Sequence, residues 1–179
     1  MASMYVQKVE ALEQLANTCA EQKLEELKKE EQELQFDSFT NEDALELGIA
    51  LVREAQSQGC ALSAEIRMNH STLFYYRCEG TNDHNSEWMR RKANTVDKLG
   101  MSTMRLYYDL AYTQRSLKDD YFLDPMVYAA RGGGFPLTVR GLGVVGTICV
   151  SGLFHPEDHA LLVRVLRRYL EQKKSGNNA

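Results

Sequence analysis

Few of the signals that announce a particular chemistry occur in this chain. Its 179 residues include 3 prolines, 1 tryptophan and 4 cysteines. The cysteines, Cys19, Cys60, Cys78 and Cys149, lie far apart with no C-x-x-C pair among them, which argues against zinc held by clustered thiolates. Each reads as a small, buried, free thiol of a reducing compartment. No apolar run approaches the roughly 20 residues needed to span a bilayer. The longest, around Val144–Leu153, is interrupted by Gly146, Thr147 and Ser151. The first residues show no basic stretch leading into an apolar segment, so no secretory signal is read there. A cytoplasmic protein without a membrane partner is expected. Charge of one sign is lacking too: 21 Lys and Arg are interspersed with 25 Asp and Glu, for a net −4. Nucleic-acid binding needs a concentrated basic patch, so nucleic acid is not an expected partner.

What remains is a globular composition, 44% hydrophobic and 26% charged, in a chain long enough for one domain with a real core. About Tyr5–Leu34 good helix formers dominate, with apolar residues at Tyr5, Val9, Leu12, Ala16 and Cys19, then Leu24, Leu27 and Leu34. These spacings of three and four make one sticky face, with a stutter between Cys19 and Leu24. Lys28-Lys29-Glu30-Glu31 reads as the wet face. A second helix starts at Thr40, where Asp43 three residues on forms a capping-box pattern, and stops at Gly59. The period then changes to two: Leu62, Ala64, Ile66 and Met68 alternate with Ser63, Glu65 and Arg67. With a turn at Asn69-His70-Ser71 and a second strand Thr72–Cys78, this predicts an antiparallel hairpin. A third helix is expected over Ser86–Leu99, capped by Asn85 or Ser86 and closed by Gly100, and a fourth after Ser102. A charged connector covers Thr113–Pro125. A second hairpin follows, Phe135–Arg140 with Gly143–Gly152, in which Pro136 places the first strand at an edge or limits it to its first residues. A last helix opens at His155-Pro156-Glu157-Asp158. The predicted class is α+β: a small, mainly antiparallel sheet of four to five strands flanked by helices. Residues 1–34 form an N-terminal helical extension, 35–172 the α+β domain and 173–179 a frayed tail.

The glycine run Gly132-Gly133-Gly134 is the clearest special segment. No Lys-Ser or Lys-Thr pair follows it as in a phosphate-binding P-loop, and it precedes a strand where a dinucleotide fingerprint opens a helix. Three glycines let the backbone approach another surface closely, whether that surface is a ligand, a helix or a subunit. Trp88-Met89-Arg90-Arg91-Lys92 sets an aromatic face beside cations on a helix, suited to an anionic planar molecule, or to a core tryptophan with solvated arginines. His155 and His159 stand four apart, but Pro156 makes His155 a cap, so the two side chains need not converge on a metal. His159 follows two carboxylates, which favour its protonation. His70 and His84 fall in a turn and a loop. Ser151 is not in a Gly-x-Ser-x-Gly elbow, and Asp119, Asp120 and Asp124 have no histidine nearby in sequence. No catalytic residue is assigned.

The string Gly132-Gly133-Gly134-Phe135-Pro136-Leu137, then Gly141, Gly143 and Gly146, then Val150-Ser151-Gly152-Leu153 and Glu157-Asp158-His159 resembles the relatives of the haem-binding GlcG/HbpS-like domains, the haem-degrading-domain family. Phe36-Asp37-Ser38-Phe39, Ala44–Gly48, Trp88–Lys92 and Leu99-Gly100-Met101-Ser102 are similar to that family as well. The likeness spans about Leu34–Leu170. It implies a small antiparallel sheet flanked by helices, self-association into a dimer or larger ring, and haem as a cofactor of some members. One branch acts as an oligomer that docks other proteins in protein targeting. Similar sequences often carry histidine just before the glycine run; Arg131 stands there, so no histidine iron ligand is available at that position. The expectation is a non-catalytic, homo-oligomeric binding protein whose ligand is a small anion or a tetrapyrrole-like molecule. Its ligand residues would be Arg131, Gly132, Gly133, Gly134, Trp88, Arg90, Arg91 and His159. A protein-interaction scaffold without small ligand is the competing expectation. An enzyme acting on haem or a small hydroxy acid is the third.

Overall fold

The computed structural model describes residues 3–176. Its elements in chain order are α1 (Met4–Glu33), α2 (Asn41–Ser57), β1 (Ser63–Met68), β2 (Ser71–Arg77), α3 (Asp83–Leu99), α4 (Thr103–Thr113), β3 (Gly134–Val139), β4 (Gly143–Ser151) and α5 (His155–Gly176). Both expected hairpins form and join through β1 and β4 into one antiparallel sheet of four strands, in the order β2-β1-β4-β3. Asn69 and His70 take φ of 49° and 64°, the left-handed pair that a two-residue hairpin turn requires. Pro136 lies in β3, at the sheet edge.

Alternation along the strands decides which helix covers which face. Ala64, Ile66, Phe135, Leu137, Ile148 and Val150 share one buried cluster with Leu47 and Leu51 of α2 and Leu162 and Leu166 of α5. Cys149 points the other way, onto Met89 and Ala93 of α3. The more polar face is therefore covered as well: Ser63, Glu65, Thr147 and Ser151 are all buried. Helix α1 lies along α4, with Leu12, Ala16, Ala20, Leu24 and Leu27 against Met104 and Tyr108. The stutter in its spacing is a kink, since Cys19 has non-helical φ −127° and ψ 17°.

Several local expectations hold and some need correction. Thr40 and Asp43 form a full capping box on α2. Gly59 and Gly100 take left-handed φ after α2 and α3. Helix α3 starts at Asp83, three residues early, because Asn82 caps it and Asn85 closes the box as its partner. Glu30 and Glu31 are not a wet face. Glu31 accepts from Arg105 at 2.8 Å and from the Ser102 amide at 2.8 Å, while Glu30 meets His159 at 2.9 Å. Helix α5 continues through Lys173–Gly176, which the sequence assigns to a tail. Lys173 there is bonded to Asp43 at 2.5 Å, a partner 130 residues away that local pattern cannot reveal. Residues 177–179 lie outside the described residues.

Gly48 in α2 admits the sheet closely. A Cβ built on it would lie 2.3 Å from the Phe74 ring of β2. Alanine is the better helix former, yet overpacking here outweighs that preference. Gly48→Ala is expected to lose about 1–2 kcal/mol net, read as a fall of a few degrees in thermal midpoint with the far-UV spectrum retained.

Candidate functional site

The glycine run threads between three helices, and its backbone is committed to them. The Gly132 amide donates to His155 Nδ1 at 3.1 Å. The Gly134 amide donates to Thr103 Oγ1 at 3.0 Å, and the Gly133 carbonyl accepts from Val150 N at 2.7 Å. Gly133 has φ +106°, and a Cβ on it would stand 2.6 Å from both Lys92 Nζ and the Val150 carbonyl. Gly132 and Gly134 thus have no amide left with which to cradle an anion.

Beneath the run lies a buried ion pair. Lys92 Nζ and Asp158 Oδ2 are 2.9 Å apart, with each side chain 2% exposed. Lys92 also donates to the Val150 carbonyl at 2.8 Å, and Asp158 Oδ1 accepts the Leu153 amide at 2.9 Å. Burial pushes the Asp158 carboxyl above the usual carboxylate range, against the pull of Lys92 and of the Leu153 and Gly152 amides. The pair ties α3, β4 and the start of α5 together. A lysine inside the otherwise apolar stripe of α3 was the one sequence signal for it. Cys149, wholly buried, has its thiol pushed up to about 12 by burial and then by Glu65, so it is inert.

Above the pair opens a cleft of about 190 Å³, walled by Arg131, His155, Trp88, His84, Tyr5 and Phe154, with Lys92 and Asp158 at its base. Arg131 is exposed. Its guanidinium sits 5.4 Å from the Tyr107 ring centroid and donates only to the adjacent Ala130 carbonyl among the described residues. His155 has its pKa depressed to about 3, by burial first and then by Arg131, Lys92 and His159. Because Gly132 N–H points at Nδ1, the neutral ring carries its proton on Nε2, as a donor with no protein partner among the described residues. Trp88 donates from Nε1 to His84 Nε2 at 2.9 Å.

The expected ligand residues are thus divided between sites. Arg131 and Trp88 reach this cleft. Arg91 stacks on Trp88 at 4.4 Å, but it and Arg90 serve the connector before the glycine run. Arg91 donates to the carbonyls of Pro125 and Tyr128, and Arg90 to Glu87 and the Met126 carbonyl. Asn94 and Thr95 continue that clamp at Val127 and Ala129. His159 faces elsewhere, into an open groove of about 810 Å³ between α1, α4 and α5. Its Nε2 meets Glu30, and its buried Nδ1 has no partner among the described residues. His155, which the sequence offered only as a helix cap, is the missed cleft residue; its partner Gly132 lies 23 residues away. Among the described residues no group of three or more His, Cys, Asp or Glu could hold a metal, and none of the helices is long and apolar enough to cross a membrane.

Lys92→Met strands a buried carboxylate and is expected to cost about 3–5 kcal/mol, whereas Lys92→Met with Asp158→Leu recovers most of it; urea midpoints report both. For His155, a folded pKa near 3 lies below the unfolded 6.5, so between these values the unfolded chain binds more protons. The stability that the neutral ring contributes is present above about pH 6.5 and is lost as pH falls towards 3. His155→Gln should lose less stability than wild type over that window, measured as urea midpoint against pH.

Residues 39–167 match the family described as haem degrading protein, HbpS-like. The chain is 40% identical over 150 residues to the UPF0303 protein YE1367 of Yersinia enterocolitica, covering 84% of this chain and 89% of that one. Among solved structures, the Ybr137w protein superposes with a TM-score of 0.78 at 24% identity over 84% of this chain and 88% of its own, a likeness of fold. HbpS superposes with a TM-score of 0.59 at 27% identity, over 76% and 92%. The glycine hairpin, the four-stranded antiparallel sheet and these matches lead to one conclusion: the chain belongs to the HbpS-like haem-degrading-protein family.

Proposed function

We propose that this protein is a non-catalytic, self-associating HbpS-like binding protein of the cytoplasm whose ligand is a small anion held in the cleft above the Lys92–Asp158 pair. One observation carries the reading: an exposed Arg131 guanidinium, without an acidic partner among the described residues, and the Nε2–H donor of a neutral His155 line a 190 Å³ cleft. Arginine binds a carboxylate or phosphate with two parallel bonds. The neutral imidazole adds directionality without competing for charge, and the Trp88 face covers a flat ligand. The four cysteines are unpaired thiols, in keeping with a reducing compartment.

Haem, which the family description brings in, does not fit this cleft. Drug-sized ligands already take pockets of about 300–1,000 Å³, well above the 190 Å³ here. A metal-binding histidine ordinarily donates from its second nitrogen, whereas His155 Nδ1 accepts from Gly132 N–H. Ligation through Nε2 would therefore need an anionic ring. Arg131 occupies the position before the glycines and supplies no iron ligand. A planar ligand of tetrapyrrole size is better matched by the 810 Å³ groove beside α1.

A second reading, a protein-docking scaffold, is favoured by that same groove and by the exposed Met4, Tyr5, Val6 and Leu15 of α1. Leu15→Asp would then abolish partner capture while leaving anion binding intact.

Calorimetric titration with a panel of small mono- and dicarboxylates and inorganic phosphate tests the main reading. At least one is expected to bind saturably, and Arg131→Ala to weaken it about tenfold, the value of one charge-assisted contact. Failure of every small anion, together with a saturable haemin spectrum indifferent to Arg131→Ala, would overturn it. Light scattering at about 100 µM is expected to show an assembly larger than one chain.

A further inference from the structure

The two edges of the sheet are treated differently. At the β3 edge, Pro136 has no amide hydrogen to offer. The segment around Phe36 covers the rest: Phe36 N donates to the Thr138 carbonyl at 2.9 Å and Arg140 N to the Phe36 carbonyl at 2.8 Å, forming a parallel bridge. The β2 edge has no such cover. The Cys78 amide donates to the Leu62 carbonyl, which makes Leu62/Cys78 a bonded pair. By alternation, Ala64/Tyr76 and Ile66/Phe74 are bonded as well. The amides and carbonyls of Tyr75 and Arg77 therefore point away from β1, and among the described residues no hydrogen bond reaches them. Over Phe74–Arg77 the strand carries little of the usual protection: its single charge is Arg77, it has no proline and no lysine, and its register irregularity lies further back, beside Leu73. Tyr75 and Tyr76 are 46% and 45% exposed.

What this edge fits is another copy of itself. Placed antiparallel across a two-fold axis through Tyr75, the outward groups of Tyr75 meet those of the second Tyr75, and Phe74 of each strand stands opposite Tyr76 of the other. Aromatic pairs directly opposite are among the favourable cross-strand neighbours. The only charge in the strand, Arg77, falls opposite Leu73 and is already held by Asp83 at 2.8 Å, so no like charges face each other. A self-complementary patch of this kind closes as a two-fold dimer. An unrelated peptide strand would need pockets beside the edge to read its side chains, and among the described residues none of the five main cavities is lined by a β2 residue.

We infer that β2 pairs antiparallel with β2 of a second copy, joining two four-stranded sheets into one of eight. The inference rests on the self-association in the function proposed above and names its surface. Tyr75→Pro removes an outward amide hydrogen and leaves the β1 ladder intact, because that amide does not face β1. The expected result is an assembly whose mass, by light scattering, falls to half or less of wild type with an unchanged far-UV spectrum. Tyr75→Ala, which keeps the amide, retains the wild-type mass at the same concentration. Amide exchange on the wild-type assembly gives a reading that does not depend on either variant folding: Tyr75 and Arg77 exchange slowly, as ladder amides do. Wild-type mass for a folded Tyr75→Pro, or exchange of both amides at the rate of exposed groups in an assembled sample, overturns the β2 pairing and leaves self-association standing. A wild-type monomer at about 100 µM overturns self-association itself. Binding of a strand-forming peptide to β2 without change of mass assigns the edge to a different partner and overturns the inference.

Discussion

A lysine ammonium and an aspartate carboxylate, 2.9 Å apart and 2% exposed, have three segments arranged around them. Removing two charges from water costs several kcal/mol each, and their attraction repays this only when the remaining donors and acceptors are satisfied. Lys92 supplies the ammonium from α3, and the Val150 carbonyl of β4 takes a second of its hydrogens. Asp158 comes from the first turn of α5 and takes the Leu153 amide. The backbone at Gly133 closes over the pair so tightly that any side chain there would meet Nζ. The glycine run is therefore a packing solution before it is a ligand loop. At Gly133 the requirement for glycine follows from the ion pair below it, at Gly132 from the His155 carbonyl of α5 and at Gly134 from Thr103 of α4.

That arrangement also builds the cleft. Once Gly132 is pinned above α5, its amide has one acceptor in reach, His155 Nδ1, and accepting that bond fixes where the ring proton sits. Burial first keeps His155 neutral, and Arg131, adjacent to Gly132 in the chain and held outside against Tyr107, adds positive potential to the same effect. Lys92 contributes to the same effect from below. A site with a cationic fork, a neutral donor and an aromatic wall is suited to an anion small enough for 190 Å³. The arginines of α3 have other work: with Asn94 and Thr95 they hold the carbonyls of the connector from Pro125 to Ala129. By doing so they place Arg131 and the glycines at the end of an otherwise irregular segment.

The two ends of the sheet show the same economy of backbone bonds. On the β3 side the chain returns at Phe36 to take up the edge. On the β2 side it does not, and aromatic side chains lie beside open amides. A protein that covers one edge and leaves the other bare has an asymmetry that self-association can use, and a two-fold axis uses it with a single strand.

Much of this was legible in the residue order because it depends on neighbours within a few positions. Thr40 with Asp43, the stops at Gly59 and Gly100, the two hairpins and the edge position of Pro136 all follow from local spacing and backbone chemistry. So does the kink at Cys19, where the apolar spacing stutters. Even α3's early start obeys a local rule, an Asn82–Asn85 box, hidden because several residues there can cap. The Gly-Gly-x-x-Pro and Val-Ser-Gly elements sufficed to indicate the family. What local order does not contain is the strand order β2-β1-β4-β3, and with it every contact between distant segments. Lys92 meets Asp158 across 66 residues, His159 meets Glu30 across 129, and His155 meets Gly132 across 23. The sequence by itself determined the type of each element, most of the local caps and the glycines. Only the tertiary structure decided that a lysine is buried, that a histidine is neutral and that two arginines are braces, because charge state and exposure depend on which surfaces come together.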